Sequence, residues 1–200
     1  MRPLRENISD KSLELMGIPK KYTHATIEDF GTYDSDSLAR VKNFCKDYIE
    51  NIEYNVSHSR GIFFFGSNGV GKSFLSSIIL KEAYRHRYTC RRITFSVYVN
   101  QYADTWKDPE NDSYDQSKSA EFLVLEEIGK EIDSKIATPI LEDLLRYRDE
   151  RGYTTIICSN IPLDEIKKHY GSSVASVITG CMTPIKINAV DKRKETFNEL

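Results

Sequence analysis

Residues 61–73 read Gly-Ile-Phe-Phe-Phe-Gly-Ser-Asn-Gly-Val-Gly-Lys-Ser, an apolar run that breaks into a glycine-rich turn and closes on a lysine and a serine. The consecutive large apolar residues Ile62, Phe63, Phe64 and Phe65 predict a strand buried on both faces, as in a parallel sheet. The turn from Gly66 to Ser73 is a full match to G-x-x-x-x-G-K-[ST]. It follows a strand and opens a helical stretch over residues 73–86, which is the setting this motif requires. Its glycines let successive backbone N–H groups curl toward one point, at the positive end of the following helix. Lys72 adds a point charge for β- and γ-phosphates, and the Ser73 hydroxyl suits Mg²⁺. Gly66, Ser67, Asn68, Gly69, Val70, Gly71, Lys72, Ser73 and Phe74 are therefore candidate nucleotide-binding residues. The ligand class selected is a nucleoside triphosphate carrying Mg²⁺.

The rest of the chain fits a sheet around that strand. Upstream, residues 37–55 place Leu38, Val41, Phe44, Cys45, Tyr48, Ile49 and Ile52 at the three-and-four spacing of one amphipathic helix. Downstream, a strand is predicted over 92–97, a helical piece over 98–106, and a mobile loop over 108–119, which is rich in Asp, Asn and Ser. A second buried-type strand over 122–126, a helix over 136–150 and a third strand over 154–158 follow, the last limited by Pro162. Strands alternating with helices imply right-handed crossovers, hence an α/β P-loop fold with a parallel sheet and helices on both faces. Residues 1–30, broken by Pro3, Gly17 and Pro19, read as a short N-terminal segment, and residues 31–200 as one domain.

Two further strand ends carry chemistry. Phe122-Leu-Val-Leu-Glu126-Glu127-Ile-Gly129 sets two carboxylates at the carboxyl end of a central strand, the edge where ligands lie in open α/β sheets. One acid suits the Mg²⁺ shell and its neighbour the attacking water. Glu126 is assigned to the metal and Glu127 to the water, with the register between adjacent acids left open. Asn160 ends the third strand at the same edge, where it can contact a γ-phosphate or the water, or serve as a turn residue before Ile161-Pro162.

Composition narrows the classes. The chain has 200 residues, 40% of them hydrophobic and 29% charged, which suits a soluble globular domain. Its formal net charge of −2 leaves no basic surplus, so any nucleic-acid contact must be local. Four cysteines without a CxxC pair and four scattered histidines argue against a zinc site or disulfide framework and for the reducing cytoplasm. The sequence shows neither a secretory leader after MRPLREN nor an apolar run that could span a bilayer, so no membrane partner is expected.

Taken in order, these motifs resemble those of the AAA+ ATPases of the DnaC-type helicase-loader and IstB-type transposition-helper family. The similarity runs over residues 17–193. Ile18-Pro-Lys-Lys-Tyr22 and Ile27-Glu-Asp-Phe30 resemble the segment that precedes the family's core near the adenine. The P-loop, Leu123 to Gly129, Tyr147-Arg148 and Thr155 to Asn160 follow in the family's order, and Asn160 then becomes a nucleotide sensor. Arg193, after Ile185-Lys-Ile187, matches by position a second sensor that reaches the phosphates, although no glycine or aromatic residue accompanies it.

Two departures stand out. Glu126 replaces the family's metal-holding aspartate, and Mg²⁺ tolerates little distortion of its octahedron. The stretch Ser172-Ser-Val-Ala-Ser-Val-Ile178 lacks the arginine that family members lend to a neighbouring subunit. Arg146, Arg148 and Arg151 are candidate substitutes.

The resemblance implies an ATP-binding replication accessory protein with Lys72, Glu127 and Asn160 in catalytic roles. Hydrolysis of ATP to ADP and phosphate is expected to be slow or partner-dependent. A replicative helicase and single-stranded DNA are the implied partners, with Tyr98, Tyr102 and Trp106 as candidates for stacking on bases. Self-assembly is put in doubt by the missing arginine. The short N-terminal part, a docking or adenine-contacting region, suits a phage, plasmid or mobile-element form. The alternatives are an IstB-type transposition helper, or a nucleotide-dependent adaptor or inhibitor of a helicase or loader with little catalysis of its own.

Overall fold

The computed structural model describes residues 3–32, 35–108, 110–129 and 134–189. Strand β1 (Gly61–Phe65) is followed through the chain by β2 (Cys90–Thr94), β3 (Phe122–Ile128), β4 (Thr154–Ser159) and β5 (Met182–Lys186). They form one five-stranded sheet in the order β2-β3-β4-β1-β5, every pair parallel. The glycine-loop strand thus lies inside the sheet, with Phe63 in register with Ile157 of β4 and Pro184 of β5.

Because strand side chains alternate between faces, the apolar runs feed two cores. Ile62, Phe64, Phe122, Val124, Ile156 and Cys158 point to one face, and Phe63, Leu123, Leu125 and Ile157 to the other. The first face is covered by α2 (Asp36–Glu50), α3 (Ile52–Ser57) and α4 (Lys72–Arg85). The second is covered by α5 (Phe95–Asp104), α6 (Ser113–Ser119), α7 (Ser134–Glu150) and α8 (Leu163–Cys181). This is the predicted parallel sheet with helices on both faces.

The N-terminal segment is built into the first face. Helix α1 (Asp10–Leu15), capped by the Ser9 hydroxyl, and 3-10 turns at Lys20–Tyr22 and Ile27–Asp29 bring Leu13, Met16, Ile18 and Phe30 into the same core as Ile62. The Arg92 amide donates to the Met16 carbonyl at 2.7 Å, so the segment covers the exposed edge of β2. A Cβ on Gly17 would meet the Arg92 carbonyl at 2.1 Å, which is why glycine stands at this approach. Lys81 of α4 donates to the carbonyls of Tyr22, Thr23 and Ala25 and pins the turn that follows.

Several boundaries differ from the sequence reading. The helix expected over 37–55 is two helices that part at Asn51, whose side-chain amide donates to the Asp47 carbonyl at 2.8 Å. The strand expected over 92–97 ends at Thr94, where the Thr94 hydroxyl accepts from the Val97 amide and starts α5. The stretch read as a mobile loop over 108–119 contains α6, because Tyr114 and Ser117 are buried and Tyr114 stacks on Tyr98 at 5.0 Å between ring centroids. Strand β3 runs two residues past Glu126, with its register against β4 shifted between Glu126 and Ile128.

Candidate functional site

The chain turns from β1 into α4 over one glycine-rich loop whose backbone only glycine fits. Gly66 has φ 149°, and a Cβ there would meet the Ile187 carbonyl at 2.3 Å. Gly71 has φ 104°, and a Cβ there would press on the Phe30 ring at 2.8 Å. The loop and the N-terminal segment enclose a cavity of about 420 Å³. Asn68, Gly69, Val70, Gly71, Lys72, Ser73 and Phe74 line it, together with Glu126, Glu127 and Asn160.

The polar end of the cavity is a connected network. Lys72 Nζ donates to the carbonyls of Gly66 and Ser67, each at 2.7 Å, and to Asn160 Oδ1 at 2.9 Å. Ser73 Oγ donates to Glu126 Oε2 at 2.7 Å, and Ser76 Oγ to Glu126 Oε1 at 2.9 Å. Glu126 is only 2% exposed and lies 3.2 Å from Arg92 Nη2. A buried carboxylate needs such donors and a paired cation to remain charged. Beside it, burial raises the Cys158 thiol well above its ordinary range, so this cysteine stays protonated.

Glu127 is treated differently. Its backbone has φ 65°, and the register shift turns its side chain to the exterior while Ile128 is buried. The adjacent Gly129 amide donates to the Tyr170 hydroxyl at 2.8 Å, and Ser159 Oγ donates to the Ile128 carbonyl, fixing the end of the strand.

The other end of the cavity is aromatic and belongs partly to the N-terminal segment. Tyr22 meets Phe74 edge-on at 5.5 Å, and Phe30 stacks against Phe74 at 6.1 Å. Asp29 accepts from the Thr26 amide at 2.7 Å, which lowers its carboxyl below the usual range and closes the turn that presents Phe30. Burial lowers the Lys81 ammonium beneath this turn.

The structure therefore brings together the predicted loop residues with Lys72, Ser73, Glu126, Glu127 and Asn160; Arg193 lies outside the described residues. It also corrects two sequence readings. Arg148 is 1% exposed and donates to the carbonyls of Lys118, Ala120 and Thr154, so it cannot reach a neighbouring subunit. Tyr98 is fully buried and cannot stack on bases. Arg146 is engaged by Glu142 and Ser173, and Arg151 lies over the Tyr147 ring. Sequence reasoning missed Arg92 and Ser76. Both polar residues face inward beside a buried acid, and only the β2–β3 pairing and the helix phase of α4 reveal it.

Mg²⁺ fits these residues. Ser73 Oγ and Glu126 Oε2 are hard oxygen ligands side by side. Among the described residues no group of three or more His, Cys, Asp or Glu can hold a metal. A partial protein shell of this kind suits an ion that keeps waters and takes further oxygens from a phosphate. No described helix is long and apolar enough to cross a membrane.

No protein-family model matches the chain. It is 25% identical over 175 residues to the replicative helicase loader DnaI of Bacillus subtilis strain 168, covering 84% of this chain and 55% of that protein. It is 23% identical over 177 residues to the replicative helicase loader DnaC of Escherichia coli strain K12, covering 87% of this chain and 64% of that protein. The chain thus spans little more than half to about two thirds of these relatives' length. Among solved structures, the DnaC helicase loader superimposes with a TM-score of 0.74 at 21% identity, over 85% of this chain and all of that one. The replication initiator DnaA bound to AMPPCP and single-stranded DNA gives a TM-score of 0.69 at 19% identity, over 91% of this chain and 56% of that one. In sequence the chain is thus similar to replicative helicase loaders, and its five-stranded parallel sheet with flanking helices shares the fold of the DnaC and DnaA structures.

Proposed function

We propose that this chain is an ATP-binding replication accessory protein of the helicase-loader kind, which uses nucleotide to switch its hold on a replicative helicase and single-stranded DNA. The observation that carries the reading is the convergence of Lys72, Asn160, Ser73 and Glu126 on one cavity at the carboxyl edge of a parallel sheet. Four free cysteines, three of them buried, suit a cytoplasmic setting. The aromatic end formed by Tyr22, Phe30 and Phe74 would receive the base, and the glycine loop the phosphates. Ser73 and Glu126 would hold Mg²⁺, which when bound offsets the charge on the β- and γ-phosphates.

In hydrolysis the outward carboxylate of Glu127 takes a proton from the attacking water. The water oxygen bonds to the γ-phosphorus as the bond to the β,γ-bridging oxygen breaks, leaving ADP and phosphate. Lys72 and Asn160, already in contact, hold the γ-phosphate and register its departure. The two outcomes then differ in charge beside Asn160, which is what a switch requires.

A second reading, a nucleotide-dependent adaptor with little catalysis, is favoured by one observation. No arginine stands at 172–178, and Arg148 is consumed inside the fold. Steady-state ATP turnover by the purified chain, with and without single-stranded DNA and beside Lys72→Ala, separates the two. Turnover that rises with DNA and vanishes in the variant supports the switch. Tight nucleotide binding without turnover supports the adaptor, and absence of nucleotide binding overturns both. Co-purification with the replicative helicase of the same system tests the partner.

A further inference from the structure

The two oxygens of Glu126 face different surroundings. Oε2 accepts from Ser73, whereas Oε1 accepts from buried Ser76 and faces Arg92 Nη2 at 3.2 Å; Ser73 and Arg92 both line the cavity. Arg92 is held at its other end by the N-terminal segment: Nη1 donates to the Gly17 carbonyl at 3.0 Å and the backbone amide to the Met16 carbonyl at 2.7 Å. Its Nε is buried without a hydrogen-bond partner. An arginine serving only as a surface strand residue would turn that donor to water. Here the donor is left unmet and the guanidinium stays between Gly17 and Glu126.

The geometry points to Arg92 as a positioning residue for the carboxylate on the metal side, an inference that rests on the nucleotide-binding reading above. Glutamate has one more rotatable bond than aspartate would have at this place, so it needs a second hold to aim one oxygen. Arg92 and Ser76 supply that hold on Oε1, leaving Oε2 beside Ser73 for a divalent cation. Because one guanidinium serves both Glu126 and Gly17, cation affinity depends on docking of residues 9–19, and docking depends on the cation to the same degree. A partner that lifts this segment would thereby weaken the metal site without touching it.

The test uses the full chain and a fluorescent ATP analogue, titrated with Mg²⁺ and repeated in EDTA. Arg92→Gln is expected to leave metal-free nucleotide binding in place while requiring about tenfold more Mg²⁺, the usual scale for losing an outer partner of a metal ligand. Arg92→Lys, which keeps the charge but not the fork, falls between wild type and Arg92→Gln. Ser76→Ala also raises the Mg²⁺ requirement but leaves the segment docked. Amide hydrogen exchange supplies a second readout: Mg²⁺–nucleotide slows exchange at residues 16–18 in wild type and not in Arg92→Gln. If Arg92→Gln fails to fold, the Lys and Ser76 variants decide. An unchanged or lower Mg²⁺ midpoint in the folded variants overturns the inference while leaving nucleotide binding intact. A wild-type chain that binds no nucleotide in either buffer overturns both.

Discussion

Glu127 shows how a single residue resolves two demands. Leu125 points into the core covered by α5 to α8, and Glu126 points the other way toward Ser73 and Ser76. In a regular strand Glu127 would then enter the core that Leu125 occupies. The left-handed backbone at φ 65° turns it out instead, and Ile128 takes the buried place. A left-handed residue with a Cβ costs roughly 1–2 kcal/mol, so replacement by glycine removes strain and adds back part of it as chain entropy. Glu127→Gly is therefore expected to stabilise the fold by about 0.5 kcal/mol in urea denaturation, while abolishing turnover. Glu127→Gln keeps nucleotide binding and lowers turnover by about 10²- to 10⁴-fold, the usual contribution of a general base. Wild-type turnover in the glutamine variant would remove Glu127 from the chemistry. Loss of more than about 1 kcal/mol in the glycine variant would remove the strain account.

At the scale of elements, α6, α7, β3 and β4 meet at Arg148. Its guanidinium donates to the Thr155 hydroxyl at 2.8 Å and to carbonyls at the end of α6, before β3 and at the start of β4. Burial lowers its tendency to stay charged, and charge interactions with Tyr98, Tyr153 and Tyr147 work against that. Arg148→Ala leaves several buried carbonyls unmet and is expected to cost about 3 kcal/mol or more, read as a lower urea midpoint. A cost under about 1 kcal/mol would mean that water replaces the guanidinium easily. From sequence Arg148 is a candidate substitute for the missing arginine, since helix phase alone does not show which carbonyls end beneath it. The parallel strands were legible because runs such as Ile62 to Phe65 are apolar on both faces and stop at glycine or acid. Helix α6 was not, because its Asp, Ser and Gln surface hides the two buried positions, Tyr114 and Ser117. In the site, the loop, both acids and Asn160 could be read from motif and strand ends. Arg92 could not, because its meaning depends on which strand lies beside β2.

For the whole molecule, a net charge of −2 means that any hold on single-stranded DNA comes from local contacts rather than from a basic surplus. Of the three aromatics that the sequence offers for base stacking, Tyr98 is buried and Tyr102 packs on Tyr114 at 5.4 Å. Trp106, just past the end of α5, is 79% exposed, and Val97 of α5 is 46% exposed. The chain has one tryptophan, so its fluorescence reports this place alone. If the surface carries DNA, an oligonucleotide quenches that signal at low salt, and more strongly with Mg²⁺–nucleotide bound. Stacking on one base is worth about 1–3 kcal/mol, so Trp106→Ala should weaken binding, followed by fluorescence anisotropy of a labelled oligonucleotide, roughly tenfold or more. Trp106→Phe should retain much of it, because a ring remains to stack. Quenching that is absent in every nucleotide state would assign the exposed ring to a protein partner instead, and the DNA contact would have to come from the helicase.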